Sequence, residues 1–195
     1  MNKIRFQEIQ GILSIGYIYL IVLGILNETL YYNQLGFNIL SYSSIIDVLI
    51  SPISHLTSSV LGFCIFIFMV MMLYYFPKYM VKYKHKALIH KLFGYQYGLS
   101  DTQLKVNYFK KFTYMFSLGL LGFFFGTGWG TGLKKSQRII NNDIEYNDKL
   151  FFINGNSSSV DILGKNSSYI FYLTPENKTV KVSPISGIIQ TIEEN

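Results

Sequence analysis

The run from Phe112 to Leu133 constrains this chain more than any other stretch. It carries no charged residue, Lys110 and Lys111 precede it, and Lys134, Lys135 and Arg138 follow it. About 20 apolar residues are needed to cross the hydrocarbon core of a bilayer, so a run of this length between basic flanks predicts a membrane-spanning helix. It contains Gly119, Gly122, Gly126, Gly128, Gly130 and Gly132. Gly122, Gly126 and Gly130 recur every fourth residue, and Gly128 with Gly132 repeats that spacing on another side. Glycine at this spacing lets two helix backbones touch, so these six are the expected helix-packing residues. From Gly126 to Gly132 every second residue is glycine, which costs helix propensity repeatedly. The end of this helix is therefore expected to unwind.

Two further apolar runs, at about 9–30 and 56–76, read as spans of the same kind. Half of all residues are apolar and only 14% are charged, which places the chain in the membrane class. Its frequent Asn, Ile, Lys and Tyr fit an AT-rich bacterial genome. The first run follows Lys3 and Arg5 but lacks an Ala-x-Ala cleavage site, so it reads as a retained anchor. Tyr31 and Tyr32 at its exit are expected at the membrane–water interface, as are Tyr74, Tyr75 and Trp129. Between these runs, Ser44 and Asp47 have the spacing of a capping box. The apolar residues after them predict a short interfacial helix that ends at Pro52.

Residues 77–111 form a basic loop. Lys78, Lys82, Lys84, Lys86, Lys91, Lys105, Lys110 and Lys111 stand there against a single acid, Asp101. Under the positive-inside rule the loop and the N-terminus are cytoplasmic, and the Lys- and Arg-free segment 27–55 lies outside. Residues 78–93 can be written as a basic helix with Leu88, Ile89, Leu92 and Phe93 on its apolar side. Its expected partners are the bilayer and its anionic headgroups. Nucleic acid is a weaker reading of the +6 net charge, because membrane surfaces also select interleaved lysines and aromatics. Ser100 and Asp101 are expected to cap a further short helix.

After Arg138 the pattern changes. Residues 139–150 read as a connector, and five runs from Leu150 to Ile192 read as strands. Residues 175–178 form the turn of a hairpin. The expected architecture is a helical membrane domain over 1–138, with three transmembrane helices and a short interfacial helix. A small β-meander or barrel-like domain over 139–195 completes it. A domain of that size is marginal alone and must lean on another surface. If the third run crosses fully, the β domain lies in the periplasm of an inner-membrane protein. If the glycine-rich segment is re-entrant, the β domain lies in the cytoplasm.

The one cysteine, Cys64, excludes an internal disulfide, and no metal, cofactor or nucleophile motif is present. The expected function is therefore non-enzymatic. It is that of a scaffold, sensor or accessory subunit that assembles through the glycine-rich helix with a copy of itself or a membrane partner. The alternative is an oligomeric pore. A glycine-rich third helix leading into a small β domain is similar in general plan to the small mechanosensitive channels. The present basic loop is longer and the expected orientation opposite. That resemblance implies Gly122, Gly126 and Gly130 between subunits, with Thr127 and Thr131 towards a lumen. A lipid-acting membrane enzyme using Glu28, Asp47 and His55 is the third reading.

Overall fold

The computed structural model describes residues 2–58, 60–87, 89, 91 and 98–194. Among these, the chain forms α1 (Asn2–Asn33), a 3-10 turn (Ile39–Ser41), α2 (Ile45–Thr57), α3 (Val60–Lys82) and α4 (Asp101–Ile140). The strands β1 (Asp148–Phe152), β2 (Ser157–Lys165), β3 (Tyr169–Thr174), β4 (Asn177–Pro184) and β5 (Ile189–Glu193) follow. Two compact units result, Met1–Pro52 with Phe124–Asn195, and Ile53–Phe123.

Among the described residues one helical stretch, Leu13–Asn33, is long and apolar enough to cross a membrane. The run 56–76 falls partly outside the described residues. In the run 112–133, six glycines and three threonines dilute the large apolar side chains.

Several helix boundaries differ from expectation. Pro52 does not end α2, which continues to Thr57, and Pro77 lies inside α3. Proline removes one helix hydrogen bond and tends to kink or break the helix. Packing holds both helices together across it, since both prolines are buried. The capping box at Ser100 opens the 40-residue α4 rather than a short separate helix. The Ser100 amide donates to Gln103 Oε1 (3.0 Å), and the Gln103 amide donates back to Ser100 Oγ (3.4 Å). Much of the basic stretch 77–111 is therefore helical, as the end of α3 and the start of α4. In the second unit, Ile89 is buried with Met80, Leu104 and Tyr108 instead of facing a leaflet. Leu88, His90, Leu92 and Phe93 lie outside the described residues.

Nor does α4 unwind at its glycines. It runs unbroken to Ile140. The Asn141 amide bonds to Gln137 O, and Asn142 adopts a left-handed φ of 57°, which stops the helix.

The sheet is antiparallel with the order β4-β3-β2-β1-β5. The first four strands meander and β5 returns to pair with β1, so β4 and β5 are its edges. One core, around Leu150, Val160, Ile170, Tyr172 and Ile189, lies within the sheet domain. A second core joins Leu163, Phe171 and Leu173 to Tyr32 at the end of α1 and to Ile39. Strand alternation explains this division: Ile170 and Tyr172 turn to one core, Phe171 and Leu173 to the other. The small sheet thus leans on the exit of α1 and on the segment after it.

Candidate functional site

The first unit is organised by close backbone contact. In α2, Pro52 has no amide to bond the carbonyl of Val48, four residues earlier. That carbonyl occupies the space a side chain on Gly24 of α1 would need. Thus Gly24 and Pro52 together let α2 press against α1. Beside this contact Ser51 Oγ donates to Glu28 Oε1.

Helix α4 packs on the neighbouring stretch of α1 through Gly128 and Gly132. A β-carbon on Gly128 would stand 2.6 Å from Asn27 O, and one on Gly132 would stand 2.8 Å from Tyr31 O. The residues pair in ascending order, 27 with 128 and 31 with 132, so the two helices run parallel here. Thr127 Oγ1 donates to the buried Asn27 Oδ1 (3.2 Å), which partners an amide that would otherwise be costly in an apolar setting. That bond directs Thr127 at α1. Thr131 Oγ1 donates to Thr127 O (2.6 Å). By contrast, Gly119, Gly122, Gly126 and Gly130 have nothing within 4 Å of the position a β-carbon would take. Consecutive helical residues turn by about 100°, so Gly126 and Gly128 point to nearly opposite sides. The helix therefore has one glycine face filled by α1 and one that no described residue covers.

Aromatic rings seat the sheet. Tyr32, expected at a membrane interface, is only 4% exposed and packs edge-on to Phe171, with centroids 5.4 Å apart. Phe37 stacks on Tyr42 (5.2 Å), and Tyr42 meets Tyr169 (5.4 Å). Tyr31 Oη donates to Leu163 O (3.4 Å), and Gly164 lies directly against Tyr32 Oη. Trp129 is partly exposed and stacked on Phe125.

Asp47 locks this arrangement. Its carboxylate accepts the Ser44 amide (2.9 Å) and hydroxyl (2.6 Å), completing the cap of α2. It also accepts the Ser167 amide (3.1 Å) and hydroxyl (3.2 Å) from the β2–β3 turn. Burial alone would raise its pKa, but the hydrogen bonds from Ser44 and Ser167 outweigh that and hold it below the usual carboxylate range. Asp47 is thus a structural clasp. His55 is exposed.

In the second unit Lys78, Lys82 and Lys86 meet aromatic rings. Lys78 Nζ lies 3.8 Å from the Tyr74 ring centre, and Lys86 Nζ lies 4.7 Å from that of Tyr83. Lys82 approaches Tyr83 at 5.7 Å, and Lys84 pairs with Asp101 at 2.7 Å. Lys91, Lys105, Lys110 and Lys111 are exposed. Lysine over tyrosine suits a headgroup region, where both groups favour the boundary between oil and water.

A polar cavity of about 180 Å³ opens at the end of α4. Lys135 and Arg138 line it from the helix, Glu145, Asn147 and Asp148 from the connector and β1, and Asp161 from β2. Lys135 Nζ is 2.9 Å from Asp161 Oδ1 and 2.7 Å from Oδ2. Arg138 Nε donates to Asp143 O (2.9 Å) and to its Oδ2 (3.3 Å). Nothing in the spacing of these residues along the chain announces the cavity. Strand pairing brings Asp148 and Asp161 together: Asp148 lies opposite Val160, and its Oδ2 accepts the Ile162 amide at 3.0 Å.

Among the described residues no cluster of His, Cys, Asp and Glu could hold a metal ion. The chain finds no match among protein-family models, curated proteins or solved structures.

Proposed function

We propose that this chain is a multi-pass protein of a bacterial inner membrane that anchors a small β domain. It assembles with a second copy of itself through the open glycine face of α4. It acts as a non-enzymatic scaffold, sensor or accessory subunit. The observation that carries this reading is the pair of glycine faces on α4, one filled by α1 and the other open at Gly119, Gly122, Gly126 and Gly130. In lipid, where apolar contact alone gives little drive, such small residues are what helix association uses.

In this reading α1, α3 and α4 each cross once. The N-terminus and the lysine-rich segment 77–111 face the cytoplasm, where the lysines meet anionic headgroups. Three features support a periplasmic β domain. The sheet is seated on the exit of α1, α4 runs parallel to α1, and segment 27–55 carries no Lys or Arg. The bases after the third run oppose this placement, yet eight lysines outnumber three bases. Lys135 and Arg138 are moreover bound to Asp161 and Asp143. A continuous α4 also supports full crossing, because a re-entrant segment needs a break in the helix.

The test is disulfide cross-linking in native membranes with Cys64 replaced by Ala. Gly122→Cys is expected to give a covalent dimer, and Leu120→Cys, on the other side of the helix, is not. Gly126→Ile should suppress the Gly122→Cys dimer while leaving the monomer folded. Absence of cross-linking at position 122, or equal yields at 120 and 122, would refute assembly through this face.

A further inference from the structure

We infer that the cavity at the end of α4 binds a small zwitterion, a molecule with an anionic oxygen group and a primary ammonium group a few bonds apart. The cavity volume is about 180 Å³, which suits a compact ligand. Its wall carries two cations, Lys135 and Arg138, and three carboxylates, Glu145, Asp148 and Asp161. Lys135 and Asp161 offset one another, which leaves Arg138 to attract an anionic group and Glu145 a cationic one. A molecule carrying both signs meets a partner at each end.

The hydrogen bonds indicate which groups receive it. Lys135 and Asp161 are largely shielded, with side chains 22% and 13% exposed, and they are occupied with one another. They set the field of the cavity and hold β2 to α4. Arg138 bonds to described residues through Nε alone. Its two terminal nitrogens are left to take a carboxylate or phosphate in the forked geometry that guanidinium favours. Glu145 accepts one bond, from Asn147 Nδ2 at 3.1 Å, and keeps acceptor capacity for an ammonium group. Arg138 is thus the anion-binding group and Glu145 the ammonium-binding group.

Two sources offer this chemistry. One is a free amino acid. The other is the ethanolamine phosphate headgroup of a phospholipid. The headgroup source rests on the membrane reading above, which puts Lys135, two residues past Leu133, at headgroup depth. The zwitterion site itself does not depend on that reading or on assembly.

The experiment is isothermal titration of the full chain, purified in a non-ionic detergent, with five probes: glycine, O-phosphoethanolamine, acetate, methyl phosphate and methylammonium. At least one zwitterion is expected to bind saturably and about tenfold or more tighter than methylammonium and its own anionic half, acetate for glycine or methyl phosphate for O-phosphoethanolamine, since each half-molecule forfeits a charge-assisted contact. Tighter binding of O-phosphoethanolamine assigns the headgroup, and tighter binding of glycine assigns the free amino acid. Arg138→Gln and Glu145→Gln, both at the partly open rim, should each weaken that binding about tenfold with an unchanged circular dichroism spectrum. Lys135 and Asp161 are left intact because losing either strands the other. The inference is overturned if neither zwitterion binds more tightly than its halves, or if either variant leaves the affinity unchanged.

Discussion

Single residues separate the two faces of α4. Gly128→Leu drives a side chain into the Asn27 backbone, which cannot yield as a flexible side chain would. Overpacking of that kind costs about 1–3 kcal/mol. Gly122→Leu meets open space and should leave the stability of the detergent-solubilised monomer unchanged, so thermal unfolding of the two variants checks the assignment. Gly164 and Tyr32 give a coupled pair. Gly164→Ala collides with the Tyr32 hydroxyl, so it should lower the melting temperature, and Tyr32→Phe should recover part of that loss. Asp47 makes a prediction in pH. Its pKa is lowered on folding from the ordinary 3.8, so its clasp contributes stability above that value and loses it as pH falls through the lowered one. Protection of the Ser167 amide, its exchange measured against the intrinsic rate at the same pH, should accordingly be high at neutral pH and fall in acid. Asp47→Asn should lower that protection at neutral pH and remove most of its pH dependence.

At the scale of elements, local signals were legible and distant contacts were not. The capping box at Ser44–Asp47 and a cap at Ser100 could be read from the local sequence, since their bonds close within one turn, whereas the reciprocal partner Gln103 was not read. The five strands were readable from alternation and turn residues. Helix length was not. Proline and dense glycine argue against a continuous helix by local propensity, and burial of Pro52 and packing of Gly128 and Gly132 on α1 override that argument. Nor could the sequence show that Tyr31 and Tyr32 serve the sheet rather than a membrane interface, because β2 and β3 lie far along the chain. The Lys135–Asp161 contact and its cavity were hidden for the same reason. Phe171 tests the seat of the sheet. Phe171→Ala should cost about 3–5 kcal/mol, as for other buried phenylalanines. Limited proteolysis should then cut the segment 34–44, which Phe171 helps to hold through Phe37 and Tyr42.

For the whole molecule, the proposed topology puts the basic segment and the small sheet on opposite sides of the membrane. The sheet domain is too small to be robust alone. It is seated on the exit of α1 and the segment after it, and Lys135 near the end of α4 pairs with Asp161 of β2. The proposed topology puts both helix ends and the sheet outside. The most direct measurement is labelling of intact cells with a membrane-impermeant maleimide, in Cys64→Ala protein bearing either Asn156→Cys in the exposed β1–β2 turn or Lys91→Cys in the basic segment. In the proposed topology position 156 is labelled without lysis and position 91 only after it. Protection of position 156 until lysis, together with position 91, would place the sheet in the cytoplasm and contradict the crossing of α4.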